Sequence, residues 1–144
     1  MNIPLVLNTE FVAGIPDNLE ERTLYISMEY ATIVHNCCCG CGLEVITPLS
    51  PTDWQLTYDG VSVSLRPSIG NWSFPCRSHY WIDKSEVRWA GQMTQELIDA
   101  GRAHDRRAKA RYLEAAKQMA KSDRPIIPTT PKGRIWSWLS RLWS

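Results

Sequence analysis

Alternating apolar and polar positions predict a β-hairpin in the segment WQLTYDGVSVSL, which covers residues 54–65. The Asp59-Gly60 pair is typical of a two-residue type I′ turn. Such a turn sets the register of the two strands, so we expect every apolar side chain of this segment to share one face. The predicted opposed pairs are Tyr58 with Val61, Leu56 with Val63, and Trp54 with Leu65.

The same alternation predicts a second hairpin in HYWIDKSEVRWA, residues 79–90. A turn at Lys84-Ser85 would place Ile82 opposite Val87 and Tyr80 opposite Trp89. Successive side chains of a strand point to opposite faces. The other face of this hairpin is therefore expected to carry His79, Trp81 and Arg88.

The segments around the hairpins have different patterns. Residues 1–36 contain short β-rich runs separated by turn residues, and RPSIGNWSFPCRS, with two prolines, predicts an ordered loop. Apolar residues at spacings of three and four predict a helix over residues 92–121, and its His104 is expected to be a packed core residue. The stripe consists of Met93, Leu97, Ala100, His104, Ala108, Tyr112, Ala115 and Met119.

The sequence predicts a linker followed by a tail at the end of the chain. Residues 122–133 contain three prolines and predict an extended Pro-rich linker. Residues 134–144 predict a Trp-rich amphipathic tail that docks on protein, and Arg134 and Arg141 supply too little charge for stable membrane anchoring. We therefore expect an α+β fold: a small zinc-stapled, β-rich domain with a long basic helix over residues 1–121, then the linker and the tail.

Composition and charge narrow the class of protein. The 144 residues are 44% hydrophobic and 22% charged, which is typical of a soluble globular protein, and we expect a cytoplasmic location where thiols stay reduced. Residues 1–60 carry eight acids and one base, while residues 102–121 carry seven bases and two acids. A basic helical face is usually only solvated, so nucleic-acid binding is not expected.

Four of the five cysteines lie between Cys37 and Cys41, which indicates metal binding. In an extended segment the alternating Cys37, Cys39 and Cys41 project to one side. Cys76 would complete a tetrahedral four-thiolate zinc site. Three alternatives stay open from the spacing: a pair of Cys38 and Cys41, a C-x-x-H pair of Cys76 and His79, and His35 as a ligand.

The motifs CCCGCG, RPSIGNW, PCRSHYWI and RWA resemble a family of small bacterial proteins of long-unassigned function. Its members are encoded beside proteins similar to ubiquitin-activating enzymes and beside ubiquitin-like proteins, often in phage-defence neighbourhoods. The resemblance covers about residues 8–115. The residues that match its C-x-C-G-C-G and C-x-S-H-Y-W motifs and the piece between them are Cys37, Cys39, Cys41, Pro67, Ser68, Cys76, Ser78, His79 and Trp81. The resemblance implies work on a ubiquitin-like protein, as a peptidase or deconjugase, and places Cys38 at a variable position.

Ser78 and His79 are the adjacent serine–histidine pair of the second motif. On a strand they would point to opposite faces, so they cannot act on each other there. If His79 is the general base, Ser68 is the expected nucleophile, and if Ser78 is the nucleophile, its base would be His35. The candidates for orienting the histidine are Glu44, Asp53 and Asp83, and the oxyanion donors are expected among the amides of residues 69–71.

The function expected from these observations is serine-type processing or deconjugation of a ubiquitin-like protein, with catalytic candidates His79, Ser78 and Ser68 and a structural zinc ion. The expected partners are a ubiquitin-like protein, its activating enzyme, or both. The alternative is a non-catalytic, zinc-stabilised module that binds one of these proteins.

Overall fold

The computed structural model describes residues 3–123, which form eight strands and one helix. The predicted linker and tail lie outside these residues. The elements are β1 (Asn8–Phe11), β2 (Thr23–Ser27), β3 (Thr32–Asn36), β4 (Glu44–Pro48), β5 (Gln55–Tyr58), β6 (Val63–Gly70), β7 (His79–Asp83), β8 (Glu86–Trp89) and α1 (Gln95–Ser122). The expected α+β class is confirmed.

The strands form two four-stranded sheets in simple chain order. The first sheet has the order β1-β2-β3-β4 and is antiparallel except for the parallel pair β1-β2, and the second has the order β5-β6-β7-β8 and is antiparallel throughout. Both sheets contribute to one hydrophobic core, since alternate residues of each strand face inward. The fully buried members include Leu24, Ile26 and Ile33 from the first sheet and Val63, Leu65, Tyr80 and Ile82 from the second.

The second hairpin has the predicted register. Ile82 pairs with Val87, Tyr80 pairs with Trp89, and Trp81 pairs with Arg88 on the other face. Lys84 and Ser85 have φ angles of 48° and 63°, and type I′ turns require positive φ at both central residues. This hairpin therefore presents His79 on the face opposite Tyr80.

The predicted register of the first hairpin is wrong by two residues. Tyr58 pairs with Val63 and Leu56 with Leu65, so the loop contains four residues, 59–62, instead of two. The Asp59 carboxylate explains the longer loop, because its Oδ1 accepts hydrogen bonds from the amides of Val61 at 2.9 Å and Ser62 at 2.6 Å. A shift of two residues leaves the strand residues on their predicted faces, but Val61 falls in the loop and is exposed.

The segment expected to be a loop before Cys76 is partly strand. Strand β6 continues through Pro67 to Gly70, with an irregular register between Leu65 and Ile69. Strand β5 pairs with β6 only as far as Arg66, so the missing N–H of Pro67 breaks no bond of the β5–β6 ladder. Ser68 therefore lies on a strand, at its irregular part.

The helix begins three residues later than expected, and the predicted apolar stripe is not its buried face. Ile98 is the buried residue of α1, whereas Leu97 and Tyr112 are exposed. The prediction that His104 packs in the core is wrong, since its side chain is 73% exposed, beside Asp105. The buried residue of α1 lies near the start of the helix. The apolar spacing of the residues farther along therefore does not mark a buried face.

The chain divides into two compact units at Tyr112. Both sheets and the first part of α1 belong to the first unit, and Leu113 begins the second. The predicted domain boundaries at residues 121 and 133 stay predictions. Within residues 3–123, no helix combines the length and apolar character that crossing a bilayer requires.

Candidate functional site

The loop between β3 and β4 brings three cysteines to Cys76. The ligand atoms of Cys37, Cys39, Cys41 and Cys76 all lie within 4.8 Å of one another. The Sγ of Cys37 is 3.4 Å from that of Cys39 and 3.9 Å from that of Cys76, and Cys41 lies 3.8 Å from Cys76. Four sulfurs about 2.3 Å from a tetrahedral ion would be about 3.8 Å apart. The four cysteines could therefore hold a metal ion.

Positive φ angles allow both loops to curl around this cluster. Gly40 and Gly42 have φ values of 86° and 78°, and the Gly40 amide donates to the Cys37 carbonyl at 3.0 Å. This left-handed region favours glycine because glycine has no Cβ. On the other loop, Arg77 has φ of 45° and its amide donates to the Phe74 carbonyl at 3.0 Å. Two tight turns thus point Cys76 at the cysteines of the β3–β4 loop.

The thiols of the cluster have opposed proton affinities. Burial raises the pKa of Cys37. Desolvation opposes ionisation of Cys76 as well, but hydrogen bonds with Ser78, Cys39 and Cys41 together lower the pKa of Cys76 to about 7. Metal ligation requires thiolates, and a bound cation supplies the positive charge that stabilises several of them together. The donor set therefore suits a divalent ion that accepts sulfur ligands.

The other candidate ligands have different surroundings. His35 is buried, its Nε2 lies 2.8 Å from the Tyr80 hydroxyl, and desolvation lowers its pKa to about 4. Burial raises the pKa of Cys38 to about 12, and Cys38 is not among the clustered thiols. His79 contacts neither Cys76 nor the cluster through its ring nitrogens, which have the partners described next.

Ser68 and His79 form a hydrogen-bonded pair on neighbouring strands of the second sheet. The Nε2 of His79 lies 2.9 Å from Ser68 Oγ, and its Nδ1 lies 2.8 Å from the Gly91 carbonyl oxygen. A carbonyl only accepts, so Nδ1 carries the proton and Nε2 is left as the acceptor for the serine hydroxyl. This is the tautomer that a general base acting on Ser68 requires.

Two tryptophans flank the imidazole of His79. The ring centroid of Trp72 lies 4.9 Å away and that of Trp81 lies 5.9 Å away. Trp72 also covers Gly70, where a Cβ would lie 2.7 Å from the indole Cε2. The guanidinium of Arg77 stacks 5.6 Å from the Trp72 ring centroid. These contacts restrict the ring of His79 to the orientation that meets Ser68.

Ser68 and His79 line an open cleft of about 440 Å³. Its walls come from the second sheet, from the segment before β5 and from the start of α1, and include Trp54, Trp72, Met93, Leu97, Ile98 and Arg102. Asp53 also lines it and is paired with Lys109 of α1 at 3.1 Å. Ser68 and His79 are therefore reached through a cleft that has both polar and apolar walls.

Ser78 directly precedes β7, and its side chain contacts different groups from those that His79 contacts. Its Oγ is 3.1 Å from Cys37 Sγ, 3.5 Å from Cys76 Sγ and 2.9 Å from Asn71 Nδ2. The structure brings His35 to a different partner, since its Nε2 lies 2.8 Å from the Tyr80 hydroxyl. Ser78 is therefore placed to support the sulfur ligands.

The predicted carboxylate partners of the histidine do not contact it. Asp53 pairs with Lys109, Asp83 bridges Arg66 and Arg88, and Glu44 pairs in register with Asn36. Sequence reasoning missed the Gly91 carbonyl, because every residue has one and no side chain marks it. Among the predicted oxyanion donors, the Asn71 amide is already bonded to the Ser78 carbonyl at 2.8 Å.

Comparison with known protein families gives one match. The profile of the family described as bacterial ubiquitination-like system serine protease (BubE) matches residues 11–90, more than half of the chain. The matched range contains the five cysteines, Ser68 and His79. No curated protein and no solved structure matches the chain.

Proposed function

We propose that this chain, which belongs to the family of bacterial ubiquitination-like system serine proteases, cleaves a ubiquitin-like protein with Ser68 as nucleophile and His79 as general base. The observation that carries the assignment is the 2.9 Å contact between Ser68 Oγ and His79 Nε2. Ser78, the other candidate nucleophile, is bonded to the cysteine cluster instead. The family membership supports the reaction class, and the contact with His79 favours Ser68 over Ser78 as the nucleophile.

The first half of the reaction is acyl transfer to Ser68. As Ser68 Oγ attacks the scissile carbonyl, His79 Nε2 takes its proton and then gives that proton to the leaving amine. The Gly91 carbonyl accepts from Nδ1–H throughout, and it favours the doubly protonated ring that forms. Water then enters with His79 again as base and releases the acyl group.

The same chemistry serves two kinds of substrate bond. A processing peptidase cleaves a peptide bond after the end of the mature ubiquitin-like domain, and a deconjugase cleaves the amide that joins this end to a target. In both cases the acyl side is the extended end of the ubiquitin-like protein and the leaving group is an amine. The cleft beside Ser68 is open, which suits a substrate that enters as a chain and not as a small molecule.

We propose that the cysteine cluster holds one zinc ion and that this ion is structural. Four thiolates complete a tetrahedral coordination sphere and leave no open position for water or substrate. Zinc prefers this geometry and ligand set, and its binding would contribute folding free energy to the sheets. The two adjacent residues Ser78 and His79 then have separate tasks, one beside the sulfurs and one in the cleft.

Cleavage of a ubiquitin-like protein fused to a C-terminal reporter tests the assignment. Ser68→Ala and His79→Ala should lower kcat on the order of 10⁴-fold while zinc content stays at one per chain. Ser64→Ala is the matched control, because Ser64 is a partly buried serine of the same strand whose hydroxyl accepts from the Lys84 amide. If Ser68→Ala cleaves normally, the serine mechanism is wrong, and if no variant or wild-type protein cleaves but all bind, the chain is a binding module.

A further inference from the structure

Asn71 contacts both the cysteine cluster and the strand that carries His79. Its side chain is buried, and Nδ2 lies 2.9 Å from Ser78 Oγ, 3.5 Å from the Tyr80 hydroxyl and 3.8 Å from Cys37 Sγ. Its main-chain amide donates to the Ser78 carbonyl at 2.8 Å. Asn71 thus binds the residue directly before His79 through both its backbone and its side chain.

The position of Asn71 on the chain extends these contacts to Ser68. Asn71 directly follows β6, whose last residue, Gly70, pairs with His79 in the β6–β7 register. The hydrogen bonds between Asn71 and Ser78 therefore close the β6–β7 pair at the end where Ser68 meets His79. The sulfur ligands lie on one face of this junction and the reactive pair lies on the other.

The hydrogen bonds that join Asn71, Ser78 and Cys37 have a definite donor and acceptor order. An amide N–H of Asn71 donates to Ser78 Oγ, so the Ser78 hydroxyl is free to donate to the sulfur of Cys37. A hydroxyl that donates to a thiolate stabilises its charge and so retains a bound cation. If the Ser78 hydroxyl donated to the side chain of residue 71 instead, it could no longer donate to Cys37.

We propose that Asn71 is a positioning residue that couples metal held by the cysteine cluster to the alignment of Ser68 and His79. This inference rests on the proposed function. It assigns Asn71 no contact with the substrate, and its effect on the reaction passes through Ser78 to the backbone of His79. Loss of metal from the cluster would then lower the reactivity of Ser68 before the sheets unfold.

Two substitutions of Asn71 separate positioning from simple packing. Asn71→Asp keeps the shape of the side chain but replaces the N–H donor by an acceptor, which draws the Ser78 hydroxyl away from Cys37. Asn71→Ala removes the donor and leaves a small cavity. Positioning through hydrogen bonds predicts the larger defect for Asn71→Asp, whereas a packing role predicts the larger defect for Asn71→Ala.

The experiment uses the full chain loaded with zinc and measures two quantities: the rate of zinc transfer to a colorimetric chelator, and kcat and KM on the reporter fusion with excess zinc. We expect zinc release to be about tenfold faster or more for Asn71→Asp and less accelerated for Asn71→Ala. For Asn71→Asp we expect kcat to fall roughly tenfold to a hundredfold, with KM unchanged, because a displaced base slows the chemical step and not binding.

Asn36→Ala is the matched control. Asn36 also lies beside Cys37 in the chain, but its Nδ2 donates to the Leu19 carbonyl and to Glu21, away from β7. Its kcat should equal that of the wild type. The inference would be overturned if both Asn71 variants released zinc and cleaved the fusion at wild-type rates, or if Asn71→Ala had the larger defect. In either case an inactive Ser68→Ala would leave the proposed function standing. Normal cleavage by Ser68→Ala would overturn both.

Discussion

Ser78 and His79 are joined by a peptide bond at the start of β7, yet their side chains contact different groups. Ser78 Oγ lies 3.1 Å from Cys37 Sγ, and His79 Nε2 lies 2.9 Å from Ser68 Oγ. A single dipeptide therefore joins the cysteine cluster to the cleft, and this explains why the two serines should respond differently to substitution.

Ser78→Ala should weaken zinc binding by about tenfold or more, because it removes the hydroxyl beside two sulfurs. The variant should still cleave the reporter fusion, at a reduced rate, whereas Ser68→Ala should keep its zinc and lose cleavage. Chelator competition and steady-state kinetics on both variants measure the two effects. An inactive Ser78→Ala with full zinc affinity would exchange the roles of the two serines.

Purified protein should contain one zinc per chain. Serine substitutions should show that four of the five cysteines are zinc ligands and that one is not. Cys38→Ser should keep its zinc because the clustered thiols are those of Cys37, Cys39, Cys41 and Cys76. Serine at any of these four should lower zinc content and the free energy of unfolding. Elemental analysis and thermal unfolding provide the measurements. Loss of zinc from Cys38→Ser would show that Cys38 is one of the ligands.

Gly70→Ala should lower kcat, because the added methyl would displace the Trp72 indole that lies against His79. Overpacking of this kind costs about 1–3 kcal/mol of stability as well. Gly14→Ala is the matched control, since a Cβ there meets nothing within 4 Å. Wild-type kcat in Gly70→Ala would show that the Trp72 contact does not orient the histidine.

Asp53 in the cleft wall should titrate below its ordinary pKa of 3.8. The hydrogen bond from Ser50 is the largest cause and Lys109 adds to it, against the opposing effect of desolvation. A depressed carboxyl pKa stabilises the fold above the unfolded value, and that contribution is lost as pH falls through the folded pKa. Because the pair is partly exposed, the contribution should be under about 1 kcal/mol.

Side-chain NMR titration of Asp53 measures this shift. Ser50→Ala should raise the pKa more than Lys109→Met does, and each variant should flatten the loss of stability below about pH 4. Equal titration of Asp53 in all three proteins would show that neither contact persists in solution.

The extent to which sequence predicted this structure differs between neighbouring elements. The register of the second hairpin followed from its two-residue turn at Lys84 and Ser85, and the register of the first failed because Asp59 holds a four-residue loop. The continuation of strand β6 through Pro67 to Gly70 was missed because Pro67 is atypical of strands and is tolerated here where β5 has ended. The outcome at Pro67 depends on where β5 ends, which is a contact between segments that a local pattern does not contain.

The candidate site shows the same division. The cysteine spacing indicated a cluster, and the structure brings four of the thiols together. The proximity of Ser68 and His79 was one of two combinations left open, and the catalytic roles stay a proposal. The Gly91 carbonyl and the buried amide of Asn71 gave no signal, because a backbone acceptor and a single asparagine gain their roles only from the fold.

The most direct test of the account is the reaction of the zinc-loaded full chain with a fluorophosphonate probe, followed by mass spectrometry of its peptides. Such probes form a phosphorus–oxygen bond only with a serine that a base activates. The account predicts one adduct, on Ser68, which persists in Ser78→Ala and disappears in His79→Ala. An adduct on Ser78, or cleavage of the reporter fusion by a protein whose Ser68 has been replaced by alanine, would contradict it.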